Sequence, residues 1–147
     1  MADTAASVRD TIVRNYETYA AELQFAGPNW ERKPQGGGEG EDAWNARQVA
    51  EHIAGAATFF ANGIAMAIGA QGPQMQRYAF PSAGEATSTT AEAQKAFMGV
   101  AGNVTDAQMA TEIDHPRLGK QTLGGILAIV ANHYVDHANQ LRTLRGG

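Results

Sequence analysis

The sequence predicts an all-α protein, a four-helix bundle with long connections. Three observations predict it. Apolar residues recur at spacings of three and four along four separate stretches. No stretch alternates apolar and polar residues for long enough to read as a strand. The 147 residues, 44% hydrophobic and 18% charged, suit a single domain over residues 1–147, large enough to bury a core.

The first helix is expected from about Thr4 to Phe25. Val8, Ile12, Tyr16, Tyr19 and Leu23 form its apolar stripe, with Arg9, Asp10, Arg14 and Glu17 off it. Gly27 and Pro28 stop it. Tyr16 and Tyr19 read as internal packing, with a dimer interface as the alternative. A loop follows from Ala26 to Ala43. Its run Gly36-Gly-Gly-Glu-Gly40 is too glycine-rich for an element interior. No Gly-Lys-Ser/Thr follows, so it is not a phosphate loop.

Asn45 is a good N-cap for a second helix running to about Gly69. Val49, His52, Ile53, Ala56, Phe60 and Ile64 share one face of it. A loop spans Ala70 to Ser88. The third helix is expected from Thr89 to Asn103, with Thr89 and Glu92 as a capping box and Ala93, Phe97 and Val100 as its stripe. The loop from Val104 to Gln121 contains His115-Pro116. The fourth helix, about Thr122 to Leu144, is on the order of 34 Å long. Leu123, Leu127, Val130, Tyr134, His137, Leu141 and Leu144 form a bundle seam along it. A loop the length of Ala26–Ala43, at up to ~3.3 Å per residue, can span a whole helix, so a long crossover is allowed.

Eleven Lys and Arg stand against 15 Asp and Glu, a formal charge of −4, which argues against a generally basic nucleic-acid binder. The absence of cysteine excludes disulfides, thiolate metal ligands and a cysteine nucleophile. The first ten residues carry no basic region followed by an apolar one, so no signal peptide is expected. The apolar stretch from Ile53 to Ala70 is broken by Gly55, Asn62, Gly63 and Gly69 and reads as a buried helix, not a membrane span. A cytoplasmic protein acting on a small molecule, without nucleic acid or membrane, is the expectation.

The histidines carry the chemistry. His133 and His137 are four apart on the fourth helix, which puts them on one face with Cβ atoms roughly 6 Å apart. His137 falls on the seam and His133 beside it. His52 lies on an inward stripe of another helix. A lone histidine on an apolar face is ordinarily a packed core residue, and a metal-free bundle is the plain alternative. Burying several imidazoles without partners is costly, however, and one shared cation satisfies three nitrogens at once.

His133-Tyr-Val-Asp136-His137 has the outline of an inverted zinc-protease motif, but the required Glu is missing. Asp136 sits about 100° round the helix from His137 and reads as a flank residue. A two-histidine, one-carboxylate iron site needs an inward acid, and Glu51 points away from its neighbour His52. Three histidines without a carboxylate fit better. No inward fourth ligand is evident, which favours a site open to water or substrate.

Three segments also resemble a known family. Trp44-Asn-Ala-Arg-Gln-Val-Ala-Glu-His52-Ile, His115-Pro-Arg-Leu-Gly-Lys-Gln-Thr-Leu123 and His133-Tyr-Val-Asp-His137-Ala-Asn-Gln140-Leu resemble stretches of the DinB-like, or DinB/YfiT-like, superfamily of metalloenzymes. The resemblance implies a four-helix bundle with one long crossover. It implies a divalent metal, nickel or zinc, held by His52, His133 and His137. It implies kinship with thiol-dependent transferases and isomerases that use bacillithiol, mycothiol or glutathione, and with bundles that are often homodimers. The function expected on these grounds is a metal-dependent enzyme using a low-molecular-weight thiol for S-transfer or isomerisation. The alternatives are a metal-binding stress-response protein without turnover and a metal-dependent hydrolase. No catalytic or substrate-binding residue is assigned. His115 is a loop histidine that approaches the site in one reading and is solvated in the other. Tyr134 is a candidate contact to a metal ligand or to substrate, Asn139 and Gln140 are candidate partners for a ligand's second N–H, and Trp30 and Trp44 are expected packing anchors.

Overall fold

The four periodic stretches are the helices α1 (Ala5–Phe25), α2 (Ala46–Ile68), α3 (Ala83–Ala101) and α4 (Leu123–Gly146) of the computed structural model, which describes residues 4–34, 40–115 and 118–146. Gly36–Gly38 of the glycine run, and Pro116, lie outside the described residues.

Local chemistry fixes the helix ends. The Thr4 hydroxyl accepts from the Ser7 N–H and Ser7 returns the bond, so two otherwise orphaned donors are satisfied. Asn45 and Gln48 do the same for α2, and Gly69 ends that helix at φ 71°. The Thr122 hydroxyl accepts from the Gly125 N–H at the start of α4.

Helix α3 starts six residues earlier than Thr89. Its cap is Ser82, whose hydroxyl accepts from the Glu85 N–H, and Thr89 and Glu92 lie inside the helix. Pro81-Ser82-Ala-Gly-Glu85 carries the same Ser-x-x-Glu start signal, and Gly84 does not interrupt it because the extra turns bury Ala83 and Ala86.

The expectation of no strands also fails. Glu112–His115 (β1) and Gly119–Thr122 (β2) pair antiparallel, with His115 opposite Gly119 and Glu112 opposite Thr122. Each strand is only four residues long, too short for a period-two signal, and Gly119 adopts the positive φ of 74° at the turn side.

Helix α1 packs against α4 and α3, and α2 packs against α3 and α4, so consecutive helices α1 and α2 lie diagonally across the bundle. Directions follow from side-chain contacts. Asn15 donates to the Ala131 carbonyl while Glu22 pairs with Arg142 and Arg145, so α1 and α4 run parallel. Arg9 donates to the carbonyls of Ala101 and Val104, so α1 and α3 are antiparallel. His52 meets His133 while Glu41, just before α2, meets Gln140, so α2 and α4 are antiparallel. Helices α2 and α3 are therefore parallel, and the chain between them must travel the length of the bundle.

That connection is the crossover. The Asn62 side-chain amide ties it down by donating to the Pro73 carbonyl at 2.8 Å. Gly72 is required beneath it, because a Cβ there would lie 2.3 Å from Asn62 Oδ1. The first connection, by contrast, stays at one end. The Arg47 N–H donates to the Trp30 carbonyl, and Trp30 Nε1 donates to the Phe80 carbonyl at 2.8 Å. Trp30 is thus a packing anchor that joins the start of α2 to the far end of the crossover. Replacing it by Phe keeps the ring but orphans that carbonyl. We expect a loss of about 1–3 kcal/mol in urea unfolding, and an unchanged midpoint would remove this role.

The core runs between the helices as their stripes require. Ile12, Tyr19, Leu23, Val49, Ile53, Ile64, Phe97, Leu123, Leu127 and Leu141 are fully buried. Tyr16 and Tyr19 pack internally, on Tyr134. No helix among the described residues is long and apolar enough to cross a membrane.

Candidate metal centre

Antiparallel packing brings the N-terminal half of α2 against the C-terminal half of α4. His52 therefore faces the His133 and His137 pair. His133 Nε2 lies 3.0 Å from His52 Nε2 and 3.1 Å from His137 Nε2. The three ligand atoms all fall within 4.8 Å of one another. His137 is buried, and His52 and His133 are half-buried at the rim.

The donor set fits a cation. Gln140 Oε1 lies 2.7 Å from His137 Nδ1, and an amide oxygen only accepts, so Nδ1 carries the proton and Nε2 presents its lone pair to the cluster. His133 Nε2 then has one lone pair or one proton with which to meet two neighbouring nitrogens. Burial, and then the neighbouring His137 and His52, push the His133 imidazole down from its ordinary range to about 3, so it stays neutral and ligand-competent at pH 7. Ions of the zinc type bind imidazole at about 2.0–2.1 Å, which sets tetrahedral ligand–ligand separations of about 3.3–3.4 Å. The two spacings to His133 Nε2 lie within a few tenths of an ångström of that.

Supporting residues hold the cluster. Trp44 packs its ring 4.9 Å from that of His52 and stacks on His137 at 6.4 Å. It is a packing anchor, as expected, but what it anchors is His52 and His137. Gln140 donates its amide to the Glu41 carbonyl at 2.6 Å, which ties the turn before α2 to α4. Asn139 instead takes bonds from Arg142 and Thr143. Glu51 points away, as expected, toward Arg47 and the Phe80 N–H.

Two expectations need correction. Tyr134 is not a substrate contact. It points toward α1 and α3 instead, buried among Tyr16 and Tyr19, with its hydroxyl donating to Gln94. A carboxylate, moreover, does stand beside the cluster. Glu41 Oε1 lies 3.6 Å from His52 Nε2 and 3.7 Å from His137 Nε2. It comes from a one-turn 3₁₀ helix, Gly40–Ala43, and no sequence spacing links it to the histidines.

His115 belongs to β1 rather than to a loop. Its ring stacks on Phe60 at 5.7 Å and meets Phe59 edge-on at 5.1 Å. It does not join the histidine cluster. It lines a cleft of about 330 Å³ beside it, with His52, Phe59, Phe60, Met75 and His133. On the other side a more polar cleft of about 500 Å³ is lined by Glu41, Trp44, Asp136, His137 and Gln140. His133 borders both clefts.

A bundle of this topology with three histidines converging between α2 and α4 defines a four-helix protein with a candidate divalent-metal centre. The chain belongs to the DinB superfamily, whose family model matches residues 12–141. Its fold is also similar to that in the crystal structure of TT2238, described as a four-helix bundle protein, with a TM-score of 0.70 at 21% identity over 95% of this chain and 98% of that one. No functionally curated protein matches the sequence.

Proposed function

We propose that His52, His133 and His137 hold one divalent ion, nickel or zinc, and that the centre serves a metal-dependent reaction of a small molecule with a low-molecular-weight thiol. The observation that carries this reading is the meeting of three Nε2 atoms at 3.0–3.1 Å steps, which proton sharing alone does not satisfy. When bound, such an ion lowers the pKa of a coordinated thiol or water toward neutrality. The chain's own residues do the rest. Gln140 fixes the His137 tautomer. Phe59, Phe60, Met75 and Leu118 give the smaller cleft an apolar lining that suits an apolar group.

Two clefts meeting at His133 favour two reactants over one reactant and water, hence transfer over hydrolysis. The test is consumption of thiols by the zinc- or nickel-loaded protein with a panel of electrophiles. We expect metal-dependent conjugation that disappears on chelation. Metal-dependent ester or amide cleavage without thiol would mean a hydrolase instead. Metal uptake with no turnover at all would favour a second reading, a metal-binding protein without catalysis. Glu41 supports that second reading, because a fourth protein ligand closes a site.

A further inference from the structure

We infer that Glu41 is a displaceable fourth ligand of the centre, closing it at rest and yielding its position to the incoming substrate. This rests on the metal-binding reading above. The geometry is direct. Glu41 Oε1 stands 3.6 Å and 3.7 Å from the Nε2 atoms of His52 and His137, and His133 Nε2 stands 3.0 Å and 3.1 Å from the same two atoms. These are four of the six edges of a tetrahedron of three nitrogens and one oxygen, and each lies within about 0.4 Å of the 3.3–3.5 Å that bonds of ordinary length set.

The Glu41 main chain is tied to α4, and its side chain is largely exposed. Gln140 holds the Glu41 carbonyl at 2.6 Å and, with its other amide atom, the His137 ring at 2.7 Å. One side chain thus sets both the turn and the ligand. The Glu41 side chain itself is 57% exposed, against 8% for His137, and it lines the polar cleft. A carboxylate on a surface turn can swing out into that cleft at little packing cost, whereas the histidines cannot leave their helices. Glu41 therefore acts as the exchangeable donor.

The experiment uses tag-free full chain with cobalt(II) and zinc(II) as the metals and azide as the competing anion. Glu41→Gln removes the charge and keeps the shape. Glu41→Asp keeps the charge and shortens the reach. We expect both variants to change the visible spectrum of the cobalt protein, to bind zinc about tenfold or more weakly in chelator competition, and to take up azide at about tenfold lower concentration than the wild type. A cobalt spectrum and zinc affinity unchanged in Glu41→Gln overturn the proposal and leave the histidine centre standing. Asp behaving as wild type while Gln does not makes the carboxylate a long-range charge and also overturns it. Should the wild type bind no metal, the histidine reading falls first and this proposal falls with it.

Discussion

Replacing His137 by Ala abolishes stoichiometric metal binding and leaves the bundle folded. His137 is the most buried of the three histidines and the one whose free nitrogen is oriented by Gln140. Losing a residue that merely orients a ligand weakens metal sites by about 10–100-fold, and losing the ligand itself exceeds that. The structural cost is small by comparison. The seam around it is carried by Leu127, Val130, Tyr134 and Leu141, all buried and all untouched. Gln140 is half-buried and recovers its hydrogen bond from water. We expect thermal midpoints of the metal-free proteins to agree within about 4 °C, roughly 1 kcal/mol at this size. A His137→Ala protein that retains one metal per chain contradicts the ligand set. One that fails to fold makes His137 a core residue first.

Acid destabilises the metal-free protein through His133. A free imidazole titrates near ~6.5. In the fold, burial and then the adjacent His137 and His52 lower that of His133 to about 3. Between these values the unfolded chain takes up a proton that the native chain refuses. Stability is therefore full above the unfolded value and falls as the pH drops through the window, by up to about 1.4 kcal/mol per pH unit from this group. Urea unfolding of the metal-free protein at pH 7, 6, 5 and 4 measures the slope. His133→Leu, which fills the space without a proton site, flattens it. An equal slope in that variant assigns the acid sensitivity elsewhere.

The bundle was legible because burial on a helix repeats every three or four residues, and each of the four stripes spans several turns. Val8 to Leu23 and Leu123 to Leu141 are buried almost residue for residue as their spacing requires. The α2 stripe was less sharp. His52, Ala56 and Phe60 sit at its edge, and the fully buried line runs through Val49, Ile53, Ala57, Ala61 and Ile64 instead. That edge position is what leaves His52 able to face α4 across the rim.

The histidine cluster was legible for the same reason as the seam. Two of its members share one helix face at four-residue spacing, and the third lies on a helix that the fold brings antiparallel to it. Glu41 was not legible, because it reaches the cluster through a turn whose path no periodicity encodes. The hairpin at Glu112–Thr122 was hidden by its brevity, and with it the placement of His115 against Phe59 and Phe60. Loop length allows a crossover and the family resemblance implies one, but neither says which connection makes it. The connection that makes it is held by side-chain bonds that no periodicity encodes, Asn62 to Pro73 within it and Trp30 to Phe80 from fifty residues away.

X-ray absorption at the metal edge, on tag-free protein titrated with zinc or nickel, probes the centre most directly. The account predicts one ion per chain, with imidazole scattering from three histidines at about 2.0–2.1 Å, and no stoichiometric ion in His137→Ala. Protein that takes up no ion, or an ion whose shell contains no imidazole, contradicts it.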